Sequence, residues 1–224
     1  MTREELDELL SDCPTLYHMA EHGSWASIRE RGLLSTTALL DLYEIEDSER
    51  HRIEASRRPA GVPLTHPKLR RAVIRDQMPM DDVGLLRCLP SHLKPSDWYR
   101  LLNAKVFFWL TRARLLLLSN AGAYRGKPHD VIEVGTRPLV EAYYDKIWLC
   151  PMNSGCTKPF PHPRSEEIFR RISDYPYSGR RRMKKRGERV VELAVDYAVP
   201  NIGDFVLRVI EMQGDCMIRT IYTA

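Results

Sequence analysis

The sequence predicts an α+β domain in which helices pack around a mostly antiparallel β-sheet. Amphipathic helical patterns and their caps are concentrated in the first half of the chain, whereas alternating runs of β-branched and aromatic residues are concentrated in the second half. The 224 residues fit one large domain, and 43% of them are hydrophobic, which is enough for a core. We therefore expect residues 1–224 to form a single domain.

Local capping signals position the predicted helices. An amphipathic pattern predicts the first helix at residues 2–12. Ser24 and Gly32 are residue types that begin and end helices, so a second helix is expected between them. Further helices are predicted at residues 35–47, 95–103, 112–126 and 137–144, the first three capped by Ser35, Ser96 and Thr111.

Strands are expected where β-branched and aromatic residues cluster. The predicted strands are residues 15–21, 105–110, 129–136 and 145–151, followed by residues 188–200, 204–213 and 216–224, which we expect to be joined by tight turns. The charged, proline-containing residues 46–71 predict a helix end followed by an irregular connection.

Several classes of protein are disfavoured by composition. The five cysteines are an odd number without a CxxC pair, which argues against a disulfide scaffold and a four-cysteine zinc site. The longest apolar run, Leu115 to Leu118, is too short for a membrane span, and the N-terminus does not resemble a signal peptide. We therefore expect a cytoplasmic protein without a metal and without a membrane partner.

Residues 180–189 form a basic segment, which is the strongest charge feature of the sequence. Its cations can meet nucleic-acid phosphates, with the neighbouring Tyr175 and Tyr177 stacking on bases, although a run of this kind is more often a solvated loop. The candidate nucleic-acid-binding residues are Arg180, Arg181, Arg182, Lys184 and Lys185, in a run that continues to Arg189.

Glu192 stands out because it is ionisable and lies within an apolar run, Val190 to Val195. One interpretation is that it lies on the solvent face of an alternating strand. The other is a carboxylate held in a site, where it can act in catalysis.

Three blocks of the sequence resemble the bacterial DarT-like ADP-ribosyltransferases. The first is LYHMAEHGSWASIRERGLLSTTALLD, the second VFFWLTRAR and the third ERVVELAVDYAVP. In the first block the matching residues are Tyr17, His18, Ser24, Trp25, Ser27, Ile28, Gly32 and Leu33. The YHMAE…GLLST…VFFW…NSG order is also similar to that of an uncharacterised bacterial family that we place beside DarT. Where DarT proteins carry a Thr-His pair, this chain has Ala20-Glu21.

The resemblance implies an ADP-ribosyltransferase-like fold and NAD as substrate, without a metal. It implies that Glu192 is the catalytic carboxylate, that His18 holds the NAD ribose, and that Arg114, or alternatively Arg112, clamps the diphosphate or the nucleophile. The candidate cofactor-binding residues are Tyr17, His18, Ser35, Thr36, Trp109, Tyr124 and Asn153. The implied target is DNA or RNA, with a protein side chain as second choice, and an antitoxin partner is implied as well.

A carboxylate suits this chemistry. Cleavage of the nicotinamide–ribose bond creates an oxocarbenium-like centre, which a nearby negative charge stabilises. The same carboxylate can take the proton of the incoming nucleophile. Two alternatives stay open: a non-catalytic nucleic-acid-binding domain, and an NAD-dependent enzyme like the tRNA 2′-phosphotransferases.

Overall fold

A computed structural model describes residues 1–180, 184–185 and 187–224. Its α-helices are α1 (Arg3–Asp12), α2 (Trp25–Arg31), α3 (Thr36–Leu42), α4 (Asp47–Glu54), α5 (Asp82–Leu86), α6 (Pro95–Asn103), α7 (Arg112–Ser119) and α8 (Thr136–Tyr143). Its strands are β1 (Thr15–Glu21), β2 (Leu33–Leu34), β3 (Val62–His66), β4 (Leu69–Ile74), β5 (Lys105–Trp109), β6 (Pro128–Gly135), β7 (Ile147–Cys150), β8 (Arg170–Arg171), β9 (Glu192–Asp196), β10 (Ala198–Val199), β11 (Val206–Gln213) and β12 (Cys216–Thr223).

Eight strands form one antiparallel sheet in the order β12-β11-β6-β1-β5-β9-β7-β8. Helices surround this sheet, so the predicted α+β class with a large antiparallel sheet is confirmed. The largest core lies where α1 and α8 cover the sheet, and it includes the fully buried Leu16, Ile132 and Leu193. Burying such side chains contributes about 1.5–3 kcal/mol each, which makes the central strands the stable part of the fold.

The two halves of the sheet are joined weakly. β1 pairs with β6 along its whole length, from Thr15 to Glu21, and β5 pairs with β9 along its whole length. Between β1 and β5, by contrast, the only registered pair in the described ladder is Tyr17 opposite Trp109. The two halves therefore diverge beyond this point, and the space between them becomes a cavity.

The prediction for residues 46–71 is wrong. This segment contains α4 and most of a hairpin made by β3 and β4, instead of an irregular connection. Pro63 is tolerated in β3 because the hairpin is a separate two-stranded sheet, so each strand has a free edge. The hairpin contributes Leu64 and Ile74 to a small core shared with α3 and α4, and this packing outweighs the weak local signal.

Two of the predicted helix caps are confirmed. Ser35 and Thr111 each accept a hydrogen bond from a backbone N–H in the first turn, as expected for N-caps of α3 and α7. α7 ends at Ser119, seven residues before the predicted end.

In two other cases the cap is supplied differently. Ser24 precedes α2 but makes no capping bond, because the buried carboxylate of Asp130 in β6 accepts from Trp25 N–H at 3.0 Å instead. Ser96 lies inside α6, where the carboxylate of Asp97 accepts from Lys94 N–H at 2.9 Å. A carboxylate that is near in space or sequence thus replaces each predicted serine.

Gly32 ends α2 for two physical reasons. Its φ of 89° lies in the region that favours glycine. A Cβ at this position would lie 2.4 Å from the Pro200 Cα. The missing Cβ allows this close approach beside the paired β2 and β10, and Gly32 and β2 line the cavity.

The order of the last strands differs from the expectation of consecutive hairpins. β9 is inserted between β5 and β7, and β10 pairs with β2. Of the C-terminal strands, β11 and β12 pair as a hairpin. The pairing partners of β9 come from distant parts of the chain, which local patterns do not specify.

The described residues form neither a membrane-spanning helix nor a disulfide. Within the described ranges, no helix is long and apolar enough to cross a membrane. All five cysteines are free thiols, with Cys13, Cys88 and Cys150 buried, Cys156 partly buried and Cys216 exposed.

Candidate functional site

A cavity of about 330 Å³ opens where the two halves of the sheet diverge. Its walls are β1, α2, β2, α3, the end of β4 with the residues after it, β5, the first residue of β9 and the turn at residues 153–155. A cavity of this size with a few polar groups is typical of a small-molecule site.

Most of the predicted catalytic and cofactor-binding residues meet in this cavity although they are far apart in sequence. Those that line it are His18, Ser35, Thr36, Trp109, Tyr124, Asn153 and Glu192. Tyr17, Arg112 and Arg114 do not line it. Tyr17 lies instead near the ion pair of Glu133 and Arg208.

Glu192 is the buried acid of the cavity. It is the first residue of β9, directly opposite Trp109 of β5 and Cys150 of β7. The side chain is only 4% exposed, so the interpretation as a solvent-facing strand residue is wrong. Both carboxylate oxygens accept from Ser154 N–H, at 3.2 and 3.1 Å.

The charge state of Glu192 is set mainly by burial. Burial raises its pKa to about 7, while hydrogen bonds from Ser154 and the positive charge of Arg164 act in the opposite direction. A carboxyl group with a pKa near neutrality can accept and release a proton in the physiological range.

His18 is fixed in one tautomer. Its Nδ1 lies 2.8 Å from the carbonyl oxygen of Phe107. Because a carbonyl only accepts, Nδ1 carries the proton and Nε2 of the neutral ring is an acceptor. Burial, together with the charge of Arg75, lowers the pKa of His18 to about 4 despite the bond to Phe107. The ring is therefore neutral at pH 7.

Arg75 is a cavity cation that the sequence analysis missed. It follows β4, donates from Nη1 to the carbonyl of Met19 at 2.7 Å, and lies 5.0 Å from the ring centroid of Tyr124. Its buried Nε has no hydrogen-bond partner among the described residues. The polar run Arg75-Asp76-Gln77 directly after an alternating strand is the signal that could have revealed it.

The other lining cations are already engaged. Arg31 pairs with Glu30 at 2.8 Å and Lys105 pairs with Asp196 at 2.5 Å. Arg58 is buried and donates to backbone carbonyls and to the Asn103 side chain, which makes it part of the wall. Arg75 is thus the lining cation best placed to receive an anion.

Two predicted cofactor residues have structural roles. Ser35 is 2% exposed, and its hydroxyl accepts from Ala38 N–H as the cap of α3. Tyr124 is 3% exposed and donates to Asp76 at 2.6 Å, with Arg75 over its ring. The Arg75 guanidinium therefore covers a face of the Tyr124 ring.

The basic segment is only partly available for nucleic acid. The guanidinium carbon of Arg180 lies 5.4 Å from the ring centroid of Tyr175, and that of Arg189 lies 4.9 Å from Tyr177 while its Nη1 pairs with Glu8 at 2.5 Å. Both tyrosines are 1% exposed, so their predicted stacking on bases is wrong.

The remaining basic candidates divide into two groups. Lys184 and Lys185 are exposed. Arg181 and Arg182 lie outside the described residues. The described part of the segment contributes no residue to the cavity lining.

Nor do the described residues contain a group of three His, Cys, Asp or Glu side chains that could hold a metal ion.

Residues 14–206 match a protein family described as a family of unknown function (DUF7002). The chain belongs to this family. The DUF7002 region spans every cavity-lining residue, from His18 to Glu192, whereas α1 lies outside it. No curated protein matches the chain.

Proposed function

We propose that this protein binds NAD in the cavity and transfers ADP-ribose from it to a nucleic acid, with a protein side chain as second choice. The observation that carries the proposal is Glu192, a carboxyl group buried at the start of a strand, lining the cavity and titrating near neutrality. The proposal includes an ADP-ribosyltransferase-like fold. Its support is the sheet whose two halves meet at Tyr17 and Trp109 and diverge around the cavity.

In the proposed reaction the bond between the nicotinamide nitrogen and the ribose C1″ breaks, and its electron pair leaves with nicotinamide. A nucleophilic nitrogen or oxygen of the target forms the new bond to C1″. Glu192 in its ionised form stabilises the positive charge that develops on the ribose. It then accepts the proton that the nucleophile loses and passes it to solvent.

His18 and Arg75 supply the binding functions. Nε2 of the neutral His18 accepts a hydrogen bond from a ribose hydroxyl, since Nδ1 is held by Phe107. Arg75 takes the anion-binding role that the sequence analysis gave to Arg114, because Arg75 lines the cavity and Arg114 does not. A guanidinium without a carboxylate partner is suited to a diphosphate.

The burial of Tyr175 and Tyr177 counts against the alternative of a non-catalytic nucleic-acid-binding domain, since that alternative used them for stacking. The 2′-phosphotransferase alternative uses the same cavity and the same cofactor. Only its reaction products therefore distinguish it from ADP-ribose transfer to a target.

The deciding experiment combines NAD binding with product analysis. We expect NAD to bind with micromolar to millimolar affinity by titration calorimetry, and nicotinamide to be released faster when DNA or RNA is present. Absence of heat and of a thermal shift at millimolar NAD would contradict the proposal. Formation of ADP-ribose 1″,2″-cyclic phosphate from 2′-phosphorylated RNA would indicate the phosphotransferase reaction instead.

A further inference from the structure

Among the described residues, the backbone group that donates hydrogen bonds to the Glu192 carboxylate is the N–H of Ser154. Ser154 N–H reaches both of its oxygens, and Ser154 itself is 1% exposed. The orientation of the carboxylate in the cavity therefore depends on the turn at residues 153–155. Within the turn, the Asn153 side chain accepts from Gly155 N–H at 3.1 Å, and this local bond leaves the Ser154 and Cys156 carbonyls for other partners.

Arg164 holds the turn. Its guanidinium donates from Nη1 to the Ser154 carbonyl at 2.9 Å, from Nη2 to the Cys156 carbonyl at 2.8 Å and from Nε to the His162 carbonyl at 3.1 Å. The rigid planar fork of arginine fixes three carbonyls at once, which a lysine cannot do.

Two further contacts hold Arg164 in place. The indole Nε1 of Trp98 donates to the same Ser154 carbonyl at 3.3 Å, and the Arg164 guanidinium carbon lies 6.0 Å from the Trp98 ring centroid. The backbone N–H of Arg164 donates to the Cys88 carbonyl at 2.9 Å. The clamp is therefore attached to both α6 and the segment after α5.

The charge of Arg164 is unusual. The side chain is 3% exposed, and its three bonds go to neutral carbonyls. In the described part of the chain it has no ion-pair partner in contact, and a buried guanidinium without one is costly. The buried anion that feels its charge is Glu192, because Arg164 lowers the pKa of that carboxyl.

We propose that Arg164 is a positioning residue for Glu192: it fixes the turn at residues 153–155 so that Ser154 N–H meets both carboxylate oxygens. The inference rests on the proposed function for its catalytic consequence. The structural part, the coupling of Arg164 to the ionisation of Glu192, does not depend on it.

The test uses three variants of the full chain. Arg164→Met removes the fork and the charge, whereas Arg164→Lys removes the fork and keeps the charge. Arg170→Met is the matched control, because Arg170 is an exposed arginine whose partner is Glu167. The protonation midpoint of Glu192 is measured from the carboxyl infrared band that Glu192→Gln removes, and nicotinamide release gives kcat and KM for NAD.

We expect Arg164→Met to shift the Glu192 midpoint upward and Arg164→Lys to shift it less. Both should lower kcat about ten- to a hundredfold with KM for NAD little changed, because a misplaced catalytic group costs rate more than binding. Arg170→Met should change neither quantity.

An unchanged midpoint in a folded Arg164→Met protein would overturn the proposal. Should that variant fail to fold, Arg164→Lys decides: wild-type midpoint and wild-type kcat together would overturn the proposal, and a loss of kcat would support it. If wild type releases no nicotinamide at all, the proposed function fails, while the infrared midpoint still tests Arg164.

Discussion

Strand β9 carries an acid at each end, and the two acids have opposite surroundings. Asp196 accepts from Lys105 at 2.5 Å, from Trp148 Nε1 at 2.8 Å and from Arg171 at 3.1 Å. Burial alone would raise the pKa of Asp196, but these donors and their charges outweigh it and lower the pKa.

For Glu192, by contrast, the effect of burial on the pKa outweighs the effect of its hydrogen bonds. Among the described residues no cation is in ion-pair contact with it, and its bonds to Ser154 do not offset burial, so its pKa rises to about 7. Both acids lie on one strand next to β5 and β7, and they differ in whether the fold supplies a compensating charge. A compensated acid stabilises the fold, whereas an uncompensated acid that lines a cavity is available for chemistry.

The largest effect is expected on catalysis. Glu192→Gln keeps the size of the side chain and removes its charge, so nicotinamide release should fall on the order of 10²-fold or more. NAD affinity should change little, because the charge at C1″ develops in the transition state. Asp196→Asn and the exposed control Glu167→Gln should retain most of the activity. Equal losses in Glu192→Gln and Asp196→Asn would remove the distinction between the two ends of β9.

The next effect is on stability and depends on pH. Because the folded-state pKa of Glu192 is about 7 and the reference value is 4.5, the protonated carboxyl is favoured in the folded protein. Its stabilising contribution is present below pH 4.5 and is lost as pH rises to about 7, a change of about 3 kcal/mol. Glu192→Gln avoids this loss.

Chemical unfolding should therefore show that Glu192→Gln is more stable than wild type at pH 8, with a difference that shrinks towards pH 4.5. A variant less stable than wild type at pH 8 would mean that Glu192 has a structural role like that of Asp196.

Asp196→Asn should have the opposite sign. It leaves the buried Lys105 ammonium without its carboxylate, which should lower the free energy of unfolding by about 2 kcal/mol at pH 7. The wild-type contribution disappears as pH falls through the lowered pKa of Asp196, so the two proteins should converge in acid. Denaturant titrations at pH 7 and pH 3 measure this; a constant difference between them would contradict the assignment.

The smallest effect concerns the exposed cations of the basic segment. If Lys184 and Lys185 contact phosphates, the double change to Gln should flatten the dependence of nucleic-acid affinity on salt by close to one unit of slope per lost contact. The exposed pair Lys68 and Lys94, changed in the same way, controls for net charge. An unchanged slope would identify the segment as a solvated loop.

Strong local patterns were sufficient for much of the fold. The strand-forming residues of β1, β5, β6 and β7 and the caps Ser35 and Thr111 are properties of short segments, and the structure has strands and caps at these places as predicted. The hairpin of β3 and β4 was missed because its residues are charged and proline-containing, and its stability comes from packing on α3 and α4.

The sequence pointed to individual residues of the candidate site, but it did not show that they lie together. Glu192 could be selected because it is ionisable within an apolar run, and His18 because it belongs to a block that resembles the DarT-like family. Their convergence on one cavity depends on the insertion of β9 between β5 and β7 and on the divergence of β1 from β5.

Only the tertiary structure determines which charged side chains have a partner of opposite charge. The local sequence does not tell which partner each of Arg75, Arg114, Arg164 and Arg189 has. In the fold, Arg189 pairs with Glu8, Arg164 clamps the turn beside Glu192, Arg75 lines the cavity and Arg114 lies outside it. Secondary structure follows from periodicity along the chain, but the partner of a buried charge is set by residues far away in sequence, which periodicity does not encode.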